Sequence, residues 1–239
     1  MSFFKYHGAG NDFILIDDFD RVFPQDDNEL IRTMCDRRFG IGADGLILLL
    51  PSTSKDFKMI YFNSNGHEGT MCGNGGRCLL AFARDRGRIF GKSHIYFDAI
   101  DGEHEGYFID HNTVRLKMQN VSGLKKQGKG YRIDTGSIHH VEYVDNLVDM
   151  DVYRHGRTIR RHNSYAPDGC NVNFIQPEKD GTLSLRTYER GVEKETLSCG
   201  TGSVASAIVH HARGHQHEEY IINTRGGILK ISFRFHENI

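Results

Sequence analysis

Met71-Cys72-Gly73-Asn74-Gly75 and Ser198-Cys199-Gly200-Thr201-Gly202 are the two stretches that decide how this sequence folds. Each follows a strand and a loop, and each opens an amphipathic helix, which the spacing of apolar residues predicts over Gly73–Arg86 and Gly200–Arg213. The two cysteines lie 127 positions apart (199 minus 72) in a chain of 239 residues. A motif that recurs after about half the chain length indicates two related halves.

A cysteine in this position precedes the unpaired N–H groups of the first helical turn. These groups, together with the positive end of the helix dipole, favour the thiolate, so the thiol can serve as a base or a nucleophile. The following glycines leave the helix start open to a ligand carboxylate. One such element is more often structural, but two in equivalent positions predict that Cys72 and Cys199 act together on one ligand, in a cleft between the halves.

Two cysteines suit inversion at a carbon that bears an acidic proton. That reaction requires an acid and a base on opposite faces of the carbon, with matched pKa values and opposite protonation states. Polar residues nearby suit an amino-acid ligand, because Asn63 ends a strand before Cys72, and Glu189-Arg190 precede Cys199. Arginine can hold a carboxylate through two parallel hydrogen bonds, and glutamate can accept from an ammonium. Taken alone, Glu189-Arg190 would instead be a solvated ion pair.

Composition limits the other function classes. The 30 Lys and Arg nearly balance the 31 Asp and Glu, and no basic block stands apart, so the sequence predicts no nucleic-acid partner. The longest apolar run, Leu46–Leu50, is too short to cross a membrane, and Ser2–His7 does not have the pattern of an export leader. Five cysteines cannot all pair within one chain, which favours a reducing cytoplasm.

Hydrophobic periodicity predicts a strand-rich chain with few helices. A further helix is expected over Asn28–Arg37, and Cys35 and Cys78 are expected on buried helix faces. The second helix should bury Cys78, Leu79, Phe82 and Ala83. The predicted strands are Phe3–Tyr6, Phe13–Asp17, Leu46–Leu50, Phe57–Phe62, Ile95–Ala99, Gly106–Ile109, Val114–Met118, Tyr131–Asp134, His139–Val144, Val172–Ile175, Leu183–Tyr188, Tyr220–Ile222 and Ile228–Phe233.

The polar stretch Ser122–Gly130 interrupts this pattern. Its glycines and lysines are typical of a linker or a long loop. It therefore predicts a boundary between a first domain, residues 1–121, and a second, residues 122–239.

The motifs resemble those of the diaminopimelate epimerase family along nearly the whole chain. The resemblance is carried by His7–Phe13 (HGAGNDF), Gly40–Gly45 (GIGADG), Met71–Cys78 (MCGNGGRC), Tyr188–Gly191 (YERG) and Cys199–Gly202 (CGTG). It implies interconversion of LL- and meso-2,6-diaminopimelate without a cofactor, in lysine and peptidoglycan precursor synthesis. It also implies an α+β fold of two pseudo-symmetric domains, each a curved, mainly antiparallel sheet around a central helix, with the active site in the interdomain cleft, and a homodimer.

The resemblance also implies roles for individual residues. Cys72 and Cys199 match the catalytic acid and base, while His139 and Glu189 match groups expected to tune the acid/base chemistry. Contacts with the amino-acid substrate are expected from the helix starts and from nearby polar side chains: Asn11, Asn63, Gly73, Asn74, Asn171, Glu189, Arg190, Gly200 and Thr201. No metal site is expected, because the histidines form no compact ligand pattern with the cysteines.

This sequence departs from the family pattern at four places, one of which is the loop from Glu189 to Cys199, one residue longer than in many members. Ser137 stands where many members have a substrate-binding asparagine, and Gly45 stands where some have glutamine. The chain also ends at Ile239, before a strand that members usually return to their first domain.

Two alternative functions remain. A proline-racemase-type enzyme shares the paired Cys-Gly elements, although Asn74 and Tyr188–Gly191 favour the diaminopimelate branch. In a non-catalytic protein, Cys72 and Cys199 would form a redox switch or bind an amino acid without turnover. An assay with both substrates under reducing conditions separates these readings.

Overall fold

In the computed structural model, which describes residues 1–234, the chain folds as two units. The first spans Met1–Met118, and the second begins at Gln119. Ile239, the last residue of the sequence, lies outside the described residues. Among the described residues, no helix has the length and apolar character needed to cross a membrane.

The first unit, every residue of which is described, forms one sheet and two α-helices. Its elements are β1 (Phe4–Gly8), β2 (Asn11–Asp17), α1 (Asn28–Cys35), β3 (Gly45–Leu50), β4 (Phe57–Asn63), β5 (Glu68–Gly69), α2 (Gly73–Asp85), β6 (His94–Ala99), β7 (Gly102–Phe108) and β8 (Val114–Leu116). The sheet order is β1-β2-β3-β4-β6-β7-β8, and β5 pairs with β4. The β2–β3 and β4–β6 pairs are parallel, and the other pairs are antiparallel.

The second unit, described as far as residue 234, has the same kind of architecture. Its elements are β9 (Ser122–Gln127), β10 (Gly130–Asp134), β11 (Ile138–Tyr143), α3 (Val152–Arg160), a 3₁₀ turn (Asn163–Tyr165), β12 (Asn171–Pro177), β13 (Leu183–Glu189), β14 (Lys194–Thr196), α4 (Gly200–Ala212), β15 (Tyr220–Thr224) and β16 (Gly227–Ile231). The sheet order is β16-β15-β13-β12-β11-β10-β9, and β14 pairs with β13. Only β11–β12 and β13–β15 are parallel among these described pairs.

Strand pairing repeats from one unit to the other. From β1 to β7 the successive pairs run antiparallel, parallel, antiparallel, parallel, antiparallel, and the series from β10 to β16 is identical. The first parallel crossover carries α1 or α3, and the second carries α2 or α4. The prediction of an α+β fold with two pseudo-symmetric halves is therefore confirmed, and Cys72 and Cys199 occupy the same topological point.

Each sheet curves around its second helix. α2 packs against β1 and β8, the two edges of its sheet, as well as against β2, β3 and β4. α4 packs against β16, which is one edge of its sheet, and against β15, β13, β12, β11 and β10, which is the strand next to the other edge. A helix can touch strands across the whole width of a sheet, or nearly so, only if the sheet bends around it, so the helix that follows each cysteine is the centre of its unit.

Both faces of the first sheet are buried, which explains its apolar strands. In β2, Phe13 and Leu15 pack with residues of α2, whereas Ile14 and Ile16 pack with residues of α1. The run Leu46–Leu50 in β3 is buried throughout for the same reason. The predicted face of α2, formed by Cys78, Leu79, Phe82 and Ala83, is confirmed in this core.

The prediction of a linker or long loop over Ser122–Gly130 is wrong. Ser122–Gln127 is strand β9, which pairs with β10 at the edge of the second sheet. An edge strand exposes much of its surface and commonly carries lysines, so it lacks the alternation of a half-buried strand. The lysines Lys125 and Lys126 thus mark an edge strand.

Helix α3, Val152–Arg160, was not predicted. Gly156 lies in its middle, and a Cβ at that position would overlap Tyr188 of β13. The glycine lowers helix propensity but permits this close packing. The signal for the helix is at its start, where Asp151 accepts a hydrogen bond from the backbone N–H of Arg154 (3.0 Å).

Candidate active site

The first half-site is the start of α2. Cys72 is the N-cap residue, half-buried, with extended backbone angles, and its side chain makes no capping hydrogen bond. Its Sγ instead donates to Asn11 Oδ1 at 3.6 Å. Gly8 of β1 allows this helix start to lie against the sheet, because a Cβ on Gly8 would approach the Asn74 carbonyl oxygen to 2.9 Å.

Asn11 is held by groups on both sides. Its Nδ2 donates to Asp44 Oδ2 at 2.8 Å, and its Oδ1 also accepts from Asn74 Nδ2 at 3.3 Å. Arg37 Nη2 in turn bonds both Asp44 Oδ1 (2.8 Å) and Asp12 Oδ1 (2.6 Å). Burial would raise the pKa of Asp12, but hydrogen bonds from Arg37 and Lys5 outweigh it and lower that pKa to about 2.

Arg77 braces the helix start from one turn inside α2. Its guanidinium donates to the Gly73 carbonyl oxygen at 3.1 Å and to Asn74 Oδ1 at 2.5 Å. Burial lowers the pKa of Arg77, yet a guanidinium remains charged at neutral pH. A cation therefore lies at the same helix start as Cys72.

The second half-site is the start of α4. Cys199 is the buried N-cap residue, and its Sγ accepts from the backbone N–H of Gly202 at 3.4 Å. The Thr201 hydroxyl lies 3.5 Å from the same sulfur. A Cβ on Gly202 would overlap Asn173 Oδ1, so a glycine is required where α4 rests on β12.

His139 lies in a buried polar group beneath α4. Its Nε2 is 3.1 Å from Thr201 Oγ1 and 3.0 Å from Ser137 Oγ, while its Nδ1 is 2.9 Å from Asn173 Nδ2. Burial and the nearby Arg190 charge lower the pKa of His139 to about 3. The ring is therefore neutral at physiological pH and acts as one donor and one acceptor.

Asn171 joins this group to the Glu189-Arg190 segment. Its Oδ1 accepts from the Arg190 backbone N–H at 2.8 Å, and its Nδ2 donates to Ser137 Oγ at 3.0 Å. Ser137 thus binds Asn171. Glu189 ends β13 with a half-buried side chain.

Two of the sequence positions stand apart from the Cys72 group. Asn63 bonds within its own turn, accepting from Tyr61 Oη at 3.2 Å and donating to the His67 carbonyl oxygen at 3.3 Å. At Gly45 a Cβ would lie 2.5 Å from Tyr61 Cε2 and 2.6 Å from the Phe62 carbonyl oxygen. The Tyr61 ring therefore fills the space that a side chain at position 45 would need.

The three other cysteines are buried in apolar surroundings. Burial raises the pKa of Cys35 to about 11, and of Cys78 and Cys170 to about 12. Such thiols stay protonated and unreactive at neutral pH. Among residues 1–234, no three His, Cys, Asp or Glu side chains are grouped so that they could hold a metal ion.

Sequence reasoning missed three residues that organise the half-sites. Arg77 carried a usable signal, because residues three and four positions apart share a helix face, and it follows Gly73 and Asn74 at that spacing. Asn173 carried a weaker one as a polar residue inside the apolar strand Val172–Ile175. Asp44 carried none that names Asn11 as its partner.

Comparisons with known proteins concern the whole chain. The family model described as diaminopimelate epimerase matches residues 3–105 and 131–238. The diaminopimelate epimerase of Flavobacterium psychrophilum is 48% identical over 240 residues, covering 100% of this chain and 93% of that protein.

Two solved structures share the fold. One is a phenazine biosynthesis protein of the PhzF family from Bacillus anthracis, with a TM-score of 0.75 at 15% identity, covering 96% of this chain and 90% of that one. The other is a hydroxyproline epimerase from Agrobacterium vitis, with a TM-score of 0.68 at 15% identity, covering 98% of this chain and 82% of that one. At this identity they establish the architecture alone. The family model and the close relative agree on one family, and the chain belongs to the diaminopimelate epimerase family.

Proposed function

We propose that this protein interconverts LL- and meso-2,6-diaminopimelate without a cofactor, with Cys72 and Cys199 as opposed acid and base. The observation that carries the proposal is the repeated element in a member of this family: each cysteine caps the helix at the centre of its unit, at the same point of the topology. Inversion needs two such groups, one for each face of the carbon.

Each helix start also offers a binding function. The N–H groups of its first turn and the positive end of the helix dipole favour a carboxylate, and Gly73 and Gly200 leave the approach open. In the proposed complex these groups hold the carboxylate of the reacting centre while the two sulfurs exchange its α-proton. Arg190 and Glu189 are proposed to hold a carboxylate and an ammonium of the substrate.

The polar side chains around each sulfur support this assignment. Asn11 and Asn74 lie at the first helix start, and Thr201, Asn171 and His139 lie at the second. His139 is proposed to act by tuning Cys199 through Thr201. Asn63 is proposed to contact the substrate, as the family resemblance implies.

The experiment is turnover of LL-diaminopimelate in deuterated water under reducing conditions. The first product should carry deuterium at the inverted carbon while unreacted substrate keeps its proton, because the base that removes the proton is not the acid that delivers one. Product that retains the original proton at initial rate would refute the two-base mechanism.

The same assay separates the alternatives. Turnover of proline but not of diaminopimelate would replace the proposed substrate. Binding of diaminopimelate without turnover would support the non-catalytic reading, in which the two cysteines serve as a redox switch.

We infer the assembly and the location from the family resemblance and from the cysteine usage. The protein is proposed to be a homodimer that works in the cytoplasm. All five cysteines, which lie within residues 1–234, are outside disulfide bonds, which is compatible with a reducing compartment. Light scattering of the purified protein tests the dimer, and a monomeric mass would reject it.

A further inference from the structure

The direction of each hydrogen bond at Cys72 can be derived from groups that have only one role. A carboxylate can only accept, and a guanidinium can only donate. Asp44 therefore requires the NH₂ of Asn11 to face it, which turns Asn11 Oδ1 toward Cys72. At the other end, Arg77 requires Asn74 to present its oxygen, so that Asn74 Nδ2 faces Asn11. Both ends give the same answer: an amide oxygen lies against the Cys72 sulfur.

An amide oxygen has no proton to give. The 3.6 Å contact between Cys72 Sγ and Asn11 Oδ1 is therefore a hydrogen bond only when the thiol is protonated. If Cys72 lost its proton, its sulfur would face the lone pairs of that oxygen. This contact favours the thiol form of Cys72. The Arg77 cation at the same helix start acts in the opposite sense, and its hydrogen bonds go to the Gly73 carbonyl oxygen and to Asn74 Oδ1.

The chain of hydrogen bonds at Cys199 runs in the opposite direction. Asn173 Nδ2 donates to the His140 carbonyl oxygen at 3.0 Å, which fixes the amide orientation, since a carbonyl can only accept. The same NH₂ faces His139 Nδ1 at 2.9 Å, so Nδ1 accepts and Nε2 carries the ring proton. Burial, by lowering the pKa of His139 to about 3, keeps the ring in this neutral form.

The tautomer of His139 decides what Thr201 does. Because Nε2 carries a proton, the Thr201 hydroxyl cannot donate to it and keeps its own proton for Cys199 Sγ, 3.5 Å away. The Gly202 N–H donates to the same sulfur at 3.4 Å. Two donors aimed at one sulfur favour the thiolate form of Cys199.

We propose that the free enzyme holds its two cysteines in opposite hydrogen-bond roles: Asp44, acting through Asn11, keeps Cys72 as a donating thiol, and Asn173, acting through His139 and Thr201, keeps Cys199 as an accepting thiolate. Asp44 and Asn173 are positioning residues, since neither touches a reacting atom. The catalytic consequence rests on the proposed function. In the first turnover the substrate α-proton passes to Cys199 Sγ and the Cys72 proton passes to the same carbon, which leaves both cysteines in reversed states until protons exchange with water.

Alkylation by iodoacetamide, measured separately on the peptides that contain Cys72 and Cys199, tests the assignment without any substrate. Only the thiolate displaces iodide, so the pH of half-maximal rate reports each thiol while accessibility changes only the rate itself. The half-maximal pH of Cys199 should lie below that of Cys72 by about one pH unit or more, the size expected for one hydrogen bond to a charged group. Equal values, or the reverse order, would overturn the proposal.

A matched pair of variants tests the role of Asp44. Asp44→Asn removes the carboxylate that orients the Asn11 amide, while Asn74 still donates to the same Asn11 oxygen. Asn11 can then turn its NH₂ toward Cys72 in part of the molecules, so the half-maximal pH of Cys72 should fall by up to about one unit while that of Cys199 stays unchanged. Asp12→Asn removes the same charge from the same Arg37 cluster without touching the Asn11 amide. Asp12→Asn should leave the half-maximal pH of Cys72 unchanged. Equal shifts in the two variants, or no shift in Asp44→Asn, would reduce Asp44 to a structural ion pair.

The series of hydrogen bonds from Asn173 through His139 and Thr201 to Cys199, the Cys199 relay, has its own pair of variants. That pair remains decisive if Asp44→Asn folds poorly. Thr201→Val keeps the shape but removes the hydroxyl donor, and it should raise the half-maximal pH of Cys199 by about one unit. Thr201→Ser retains the hydroxyl and should leave the half-maximal pH of Cys199 unchanged. An unchanged half-maximal pH of Cys199 in Thr201→Val would overturn the proposed role of Thr201. Because alkylation needs no turnover, these outcomes stand apart from whether diaminopimelate is the substrate.

Discussion

The starts of α2 and α4 rest on different layers of side chains although their backbones are equivalent. In the first unit Phe13 pairs with Gly45 across the parallel β2–β3 ladder, and in the second His139 pairs with Asn171 across β11–β12. Two residues further along β3 and β12 stand Ile47 and Asn173. The layer beneath Gly75 is thus apolar, formed by Phe13 and Ile47, whereas the layer beneath Gly202 contains the amide of Asn173, which bonds His139.

This difference shows which features the repeat keeps. Strand directions and helix positions are the same in both units, because they follow from packing a helix inside a curved sheet, and a cysteine holds the N-cap position of each central helix. The polar side chains at each sulfur are not the same. Asn11, held by Asp44, contacts Cys72 from β2, whereas Thr201 contacts Cys199 from the first turn of α4 and is itself bonded to His139, which bonds Asn173. Two equal backbones with unequal surroundings suit a reaction that needs two thiols in opposite states.

The largest expected effect tests whether the two half-sites are equal partners. Cys72→Ala and Cys199→Ala should each lower the rate of net epimerisation by about 10³-fold or more, since either change removes the acid or base from one face of the carbon. Measurement of product stereochemistry over time checks this. Substantial epimerisation by either variant would end the two-thiol assignment.

The same variants can show that the sulfurs serve opposite faces. The remaining thiol can still remove a proton from the one stereoisomer that presents it and return solvent deuterium to the same face. Each alanine variant should therefore wash the α-proton out of one isomer without inversion, and the two variants should select different isomers. Loss of the same proton signal in both, followed by NMR in deuterated water, would contradict opposed faces.

The next effect concerns Arg190, which directly follows β13 in the second unit. Arg190→Lys keeps the charge but loses the planar fork, so KM should rise about tenfold if two parallel hydrogen bonds hold a carboxylate. The matched control is Arg157→Lys on the exposed face of α3, which should leave kcat/KM unchanged. An unchanged KM in Arg190→Lys would return Arg190 to the role of a solvated charge.

Acid should weaken the two units at different pH values. His139, whose pKa falls from 6.5 to about 3 on folding, binds its proton in the unfolded chain but not in the native one between these values. Stability therefore falls as pH drops through that window, by up to about 1.4 kcal/mol per pH unit for such a group. His210, whose pKa is lowered to about 4 by burial and by His215 and His217, acts with the same sign.

The first unit contains a group of the other kind. The lowered pKa of Asp12, about 2 against 3.8, contributes stability that is present above pH 3.8 and lost as pH falls toward 2. Hydrogen exchange measured from pH 7 downward should therefore show protection lost from α4 and β11 before α2 and β2. His139→Gln should reduce this difference, and exposed His111→Gln should not. Simultaneous loss in both units would show that they unfold as one.

Local sequence patterns predicted the main backbone elements of the site but not its hydrogen bonds. The helices that begin after Cys72 and Cys199 could be predicted because apolar spacing and glycines mark them in sequence. Helix α3 was not predicted because Gly156, which lowers helix propensity, is needed for close packing against Tyr188. Strand β9 was not predicted because an edge strand lacks the alternation of apolar and polar residues. The relays depend on partners far apart in sequence: Asp44 lies 33 positions from Asn11, and Asn173 lies 34 from His139. Only the folded sheet brings these pairs together.

The smallest expected effect makes one helix more like the other. Cys78 lies six residues after Cys72, and the residue six after Cys199 is Ala205, so Cys78→Ala gives α2 the side chain that α4 already has at this position. Both positions are buried, and Cys78 packs in the core of the first unit. Removing its sulfur leaves a small cavity, which should cost about 1 kcal/mol and lower Tm by about 2 to 4 °C. Because burial raises the pKa of Cys78 to about 12, this thiol takes no part in proton transfer at neutral pH, and kcat/KM should not change. Thermal unfolding and the epimerase assay on one preparation measure both quantities. A large loss of kcat/KM with an unchanged Tm would mean that the first half-site uses a second thiol. Position 78 of α2 would then differ in function from position 205 of α4.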